Sequence, residues 1–245
     1  MANEASNTFT VTLENLLIVT HAVPVERVRP RVPKSLELDV LKGPEGEDVA
    51  LISTTCFLNR DLQWPQGSEP ILDFHQATYR TYIKYNEEPA VYILGSFIER
   101  GTPSIFERLS AKNAFAADFD ISLSYDPSNR SYRRYYCEVL SEKGDTIIEV
   151  KSGGEEPRAS IPFDTGLEMA HFITQRPANL YSMSDGGLGC LRLEHEEMNP
   201  VDAEILAGEF DYWGKLGILR EEEFELPYCV LIQPDVEIKG ELLNA

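Results

Sequence analysis

No apolar run in this chain comes near the roughly 18 residues that a bilayer demands; Leu16–Val19 and Val91–Leu94 are only strand-sized. The polar start, Met1 to Thr8, has neither the basic n-region nor the apolar h-region of a secretory signal, so the cytoplasm is the expected location. Basic residues are scarce: 22 Lys plus Arg stand against 41 Asp plus Glu, a formal net charge of −19. A surface of that sign repels phosphate backbones and anionic lipid, so neither nucleic acid nor membrane is an expected partner. The four cysteines, Cys56, Cys137, Cys190 and Cys229, lie dozens of residues apart with no C-x-x-C spacing. That excludes a zinc ribbon, and each is expected reduced and buried as a small hydrophobe. The four histidines, His21, His75, His171 and His195, lack H-x-x-x-H and H-E-x-x-H spacing, so no metal is expected. There is no G-x-S-x-G elbow. Gly186-Gly187-Leu188-Gly189 precedes a strand and reads as a tight turn rather than a phosphate loop, so no cofactor is expected.

What the chain has in abundance is period-two alternation. Phe9, Val11 and Leu13 alternate with threonines and lead into Leu16–Val19. Val49–Phe57, Phe74–Tyr85, Ala90–Ile98, Phe119–Tyr125, Tyr132–Leu140, Thr146–Val150, Leu188–Glu194 and Tyr228–Ile238 follow the same pattern. Turn chemistry such as Asp126-Pro127-Ser128-Asn129 separates them. Arg133 and Arg134, flanked by tyrosines, are expected on opposite faces of one strand. Four short helices are expected: one opened by a Ser104/Glu107 capping box, Asp164–Gln175 capped by Asp164, Pro24–Val32, and Pro200–Phe210. With no repeat or long linker, residues 1–245 read as one mainly β domain, a closed or nearly closed barrel with a few short peripheral helices.

Three stretches carry a resemblance. Leu16-Leu17-Ile18-Val19-Thr20-His21-Ala22-Val23-Pro24 runs on through Arg31-Val32-Pro33-Lys34-Ser35-Leu36-Glu37-Leu38-Asp39; a second contains Tyr79-Arg80-Thr81-Tyr82. The third joins Phe172-Ile173-Thr174-Gln175-Arg176, Leu180-Tyr181 and His195. In this order they resemble the domain-of-unknown-function 2071 family, a branch of the acetoacetate decarboxylase-like superfamily. The resemblance implies a β-barrel around a small-molecule cavity. It also implies, for the superfamily's decarboxylases, a lysine that forms an imine with a β-keto acid, its pKa lowered by an adjacent lysine. The matching region here is Ser110 to Phe119, where the lysine pair falls near Ala117 and Asp118; Lys112 sits earlier, and no two lysines are adjacent anywhere. Gln76 stands where the decarboxylases carry a strand glutamate.

Along Phe74–Tyr85, one face carries Gln76, Thr78, Arg80 and Tyr82. Turned into a barrel, it forms a clamp for a carboxylate or enolate oxygen, because a guanidinium matches a carboxylate bidentately. Turned to solvent, Arg80 pairs with an acidic neighbour. Lys112 is the candidate second cation, and His21 and His195, at positions matching family histidines, are candidate general bases. His171 reads as a helix-face residue. The expectation is a small-molecule-binding barrel for a carboxylate or carbonyl compound, non-catalytic or lysine-independent. The alternative is a lyase-type enzyme acting on an oxo-acid through an imine. Homo-oligomers are a possible assembly, through an unpaired strand edge.

Overall fold

The computed structural model describes residues 7–64, 71–102 and 110–244. Strands dominate: β1 (Thr8–Pro24), β2 (Glu37–Leu38), β3 (Val40–Lys42), β4 (Asp48–Gln63), β5 (Leu72–Tyr85), β6 (Glu88–Glu99), β7 (Ala114–Asp126), β8 (Ser131–Leu140) and β9 (Thr146–Ser152). They continue as β10 (Ala178–Ser182), β11 (Leu188–Glu194), β12 (Val201–Asp202), β13 (Glu204–Phe210) and β14 (Cys229–Asn244). The helices are α1 (Val25–Val28), α2 (Gly166–Thr174) and α3 (Asp211–Lys215). Among the described residues no helix is long and apolar enough to cross a membrane.

Seven strands close a ring in the order β6-β10-β11-β14-β1-β4-β5, with β5 returning to β6. All neighbours are antiparallel except β6 and β10, which run parallel from Ala90↔Ala178 to Ile93↔Tyr181. Beyond that stretch the same edge of β6 pairs with β7, Ser96↔Ala114 to Glu99↔Ala117. A second sheet, β7-β8-β9-β13, branches off there and covers the outside of the ring.

Where the second sheet covers the ring both faces are buried, which explains the near-continuous apolar runs of β1 and β4, whereas Arg192 of β11 and Asp235, Glu237 and Lys239 of β14 remain exposed. Leu17, Val19, Ile52, Cys56 and Tyr79 face outward and pack on Tyr135, Cys137, Val139, Ile148 and Val150 of the second sheet. Helix α3 supplies the largest piece of this layer: Trp213 is fully buried and donates Nε1–H to Thr54 Oγ1 at 2.8 Å. All four cysteines are free and buried. Inside the ring, Leu16, Ile18, Leu51, Tyr82 and Val91 pack beneath Met169, Ala170 and Ile173 of α2, which closes that end. Phe9, Val11, Leu62, Phe74 and Ile238 form a second apolar layer toward the other end.

Several expectations change. Pro200–Phe210 is not a helix; Glu204↔Lys151 through Phe210↔Thr146 pair as a strand with β9. A register shift between Ile205 and Ala207 breaks the alternation there and leaves Leu206 exposed, so the strand signal is masked. Arg133 and Arg134 do not face opposite ways. A register shift between Tyr132 and Tyr135 buries both tyrosines and leaves both arginines exposed. The cap of α2 is Thr165, whose side chain accepts from the Glu168 amide at 3.1 Å, not Asp164. Pro24–Val32 holds only α1 and a 3-10 turn, Arg29–Arg31, with Pro30 inside it. The Ser104/Glu107 capping box lies outside the described residues.

Candidate functional site

Between the two inner apolar layers the ring holds a cavity of about 180 Å³. Its wall is set by strand phase. In β1, Val11 and Leu13 point inward, and so do Leu16 and Ile18, an odd step that alternation forbids. The phase changes at Asn15, which takes the left-handed conformation at φ 53° within a register shift against β4. The second sheet holds this bulge: Tyr135 donates to the Asn15 carbonyl at 2.8 Å and Tyr132 to its side-chain oxygen at 3.0 Å. In β6 the shift opposite Tyr79 and Arg80 leaves Leu94 as the extra residue, so Ile93 and Ser96 both face the cavity. Tyr212 of α3 donates to the Leu94 carbonyl at 2.8 Å.

On β5, Gln76, Thr78 and Arg80 line the cavity. Two cross-strand ladders support them. Thr78 Oγ1 meets Thr55 Oγ1 at 2.7 Å. Gln76 accepts from Asn59 Nδ2 at 3.1 Å and donates to Ser96 Oγ at 2.9 Å, which leaves the Ser96 hydroxyl hydrogen free to donate elsewhere. Gln76 is thus a neutral amide, engaged at both its oxygen and its nitrogen, where the resemblance implies a glutamate.

Arg80 is different. Its Nε is buried and finds no hydrogen-bond partner among the described residues. Its Cζ lies 6.0 Å from the centre of the Tyr82 ring. Arg80 as a whole is half-buried, but a donor buried bare is costly unless an acceptor completes it. Arg176, a residue that appears above only inside a sequence resemblance, also lines the cavity. It is 4 % exposed, pairs with Asp39 at 2.8 Å and lies 4.0 Å from the Phe172 ring. Among the described residues the cavity wall contains two arginines and His195 but no Asp, Glu or Lys. In a chain of net charge −19, Arg80 thus stands on the wall as a cation that no described carboxylate pairs with, while Arg176 is neutralised by Asp39.

The remaining candidates are placed elsewhere. Tyr82 shares the inward face of β5 but lies below the cavity, its hydroxyl 2.7 Å from Ser53 Oγ and its ring stacked on Phe172. Lys112 is exposed, with Ala111 and Asn113 on either side of it lining the cavity instead. His21 faces outward, 2 % exposed, with Nε2 donating to the Phe224 carbonyl at 3.1 Å. His195 stands on the wall, its Nδ1 2.7 Å from the Glu196 carbonyl oxygen. His171 is exposed, 3.3 Å from Glu197. The structure therefore gathers Arg80, Gln76, Thr78 and His195 at one cavity and leaves Tyr82, Lys112 and His21 outside it. Among the described residues no group of three or more His, Cys, Asp or Glu is arranged to hold a metal.

Sequence reading passed over Arg176, Tyr181, Ser96, Asn113 and Asn179, all on the wall. Arg176 and Tyr181 share the stretch that carries the His195 resemblance, which was the available signal. Ser96 and Asn113 had none, because their orientation depends on the β6 bulge and on the β6–β7 branch.

The same fold occurs in known structures. The chain is similar to an acetoacetate decarboxylase-like enzyme from Sphingomonas wittichii RW1, with a TM-score of 0.58, 9% identity and coverage of 98% of this chain and 94% of that one. It is also similar to acetoacetate decarboxylase from Legionella pneumophila (TM-score 0.59, 10% identity, 97% and 88% covered). A third is the enduracididine biosynthesis enzyme MppR complexed with pyruvate (TM-score 0.58, 11% identity, 100% and 91% covered). At these identities the likeness is one of fold, mainly β and acetoacetate decarboxylase-like. No curated protein matches the chain in sequence. The model of the DUF2071 family, whose description is "Uncharacterized conserved protein", matches residues 10–235, and the chain belongs to that family.

Proposed function

We propose that the ring is a binding site for a small carboxylate or carbonyl compound, with Arg80 as its anion clamp and no lysine in its chemistry. The observation that carries this reading is one bare donor: Arg80 Nε is buried at the cavity without a partner among the described residues. A carboxylate supplies the missing acceptor in the geometry that a guanidinium prefers. Thr78 and Ser96 stand beside it as hydroxyl groups to orient a second oxygen. Among the described residues no acidic side chain on the wall competes for Arg80, and Gln76 brings no charge. MppR, a protein of similar fold, is complexed with pyruvate, a small oxo-acid of the kind such a clamp suits. An imine route needs a lysine amine inside, whereas Lys112 is exposed and, among the described residues, none lines the cavity.

The test combines calorimetric titration of pyruvate and acetoacetate with borohydride trapping read by intact mass. Arg80→Met is expected to weaken carboxylate binding by about 10- to 100-fold, the range of a charge-assisted hydrogen bond. Its melting temperature is expected to hold, because Arg80 is half-buried and the substitution removes a buried donor that no described group satisfies. Unchanged binding in Arg80→Met would sink the clamp. A trapped mass gain that vanishes in Lys112→Ala would establish the imine route instead.

A further inference from the structure

We infer that the ligand is amphipathic: a carboxylate head at Arg80 joined to an unbranched apolar tail that lies along the ring toward Phe74. This rests on the clamp reading above and adds the class of compound the cavity selects. The wall is polarised along its length. Around Arg80, strand pairing brings Ile93 and then Tyr181 alongside, with Thr78, Ser96 and Arg176 also on the wall. Moving down β5 from Arg80 to Phe74, past the mutually bonded amides of Gln76 and Asn59, the lining changes to Phe9, Val11, Leu62, Trp64 and Ile238. That six-residue step spans about 20 Å at a rise of about 3.4 Å per residue. Among the described residues the ionisable group on the wall nearest this end is His195, whose neighbours Leu193 and Met198 belong to the same apolar layer. A hydrophilic acid of three or four carbons would satisfy Arg80 and leave this apolar section holding water it cannot hydrogen-bond. A hydrocarbon tail fills it and removes apolar surface from water on both sides.

The experiment titrates butanoate, hexanoate and octanoate, with 1-octanol as a tail without a charge, into the unmodified 245-residue chain and into Arg80→Met. Two variants, Val11→Phe and Ile238→Phe, shorten the apolar end independently, and each is checked for an unchanged melting profile. Affinity is expected to rise roughly 3- to 4-fold per methylene, on the order of 100-fold from butanoate to octanoate. Either filling variant is expected to lower octanoate affinity at least 10-fold while sparing butanoate. Flat affinity across the acids, still abolished in Arg80→Met, would overturn the tail and leave the clamp standing. Octanol binding as tightly as octanoate, with Arg80→Met indifferent, would overturn the charged head and the clamp together. No binding by any of the acids or the alcohol would overturn both proposals.

Discussion

His21 projects from β1 into the layer between the ring and the second sheet, edge-on to Phe210 at 5.2 Å. Its Nε2 donates to the Phe224 carbonyl, and Nδ1 is left buried without a partner. Burial outweighs the Phe224 carbonyl and the nearby Glu223 carboxylate, and lowers the imidazole pKa from 6.5 to about 4. The unfolded chain therefore binds a proton between those values that the folded chain refuses. Stability contributed by neutral His21 is present above pH 6.5 and is lost as pH falls toward 4, a difference on the order of 3 kcal/mol. Urea unfolding at pH 7 and pH 4.5 should show that loss in the native protein and a smaller one in His21→Gln, whose amide still reaches Phe224. Equal losses in both would assign the acid sensitivity to the carboxylates instead. His21 and Arg80 also mark what single residues tell a reader of the sequence. Arg80 announced itself by sharing a polar face with Gln76 and Thr78, and strand alternation carried all three to one surface. His21 and Lys112 were chosen for residue type and for their positions in the resemblance. Neither feature encodes which side of a twice-buried strand, or of the Ala111–Asn113 turn, a side chain takes.

At the scale of elements, close cross-strand pairs shape the cavity wall. Tyr181 of β10 lies directly opposite Gly189 of β11. A Cβ on Gly189 would come within 2.3 Å of the tyrosine Cζ, so the ring occupies the space that any other residue would fill. Gly189→Ala is expected to push Tyr181 out of the wall and cost about 1–3 kcal/mol. Much of that cost should disappear in a Tyr181→Ala background, and denaturant unfolding of the four proteins measures the coupling. A Gly189→Ala penalty that persists without Tyr181 would place the strain in the backbone. Phe9 over Gly240, with a notional Cβ 2.0 Å from its Cζ, repeats the arrangement at the apolar end. Strand existence was legible wherever alternation ran clean: Leu188–Glu194 reads the same from sequence and structure. It was illegible where a bulge resets the phase. Glu204–Phe210, with its shift at Leu206, mimics a helix because the extra residue turns a period of two into spacings of three.

For the whole molecule, composition and alternation supported a mainly β architecture. The closure of the ring had no local signature, since it depends on β6 meeting β10 in parallel across more than eighty residues of chain. The branch of the second sheet from the same edge was equally invisible, and with it the double burial of β1 and β4. Charge acts at this scale too. A carboxylate approaching this protein meets a net charge of −19 before it senses Arg80 inside. The long-range term repels, and the short-range one attracts. Salt shortens the Debye length from about 30 Å at 0.01 M to about 8 Å at 0.15 M, which strips the repulsion from an approaching anion. Inside the ring, a ligand seated at Arg80 is shielded from mobile ions. Stopped-flow association of octanoate is therefore expected to speed up by a factor of about 2 to 10 between those salt concentrations, with a smaller change in dissociation. A rate that falls with salt would mean that the field of Arg80 reaches out through the opening and captures anions itself. The acidic exterior would then have no part in selecting what enters.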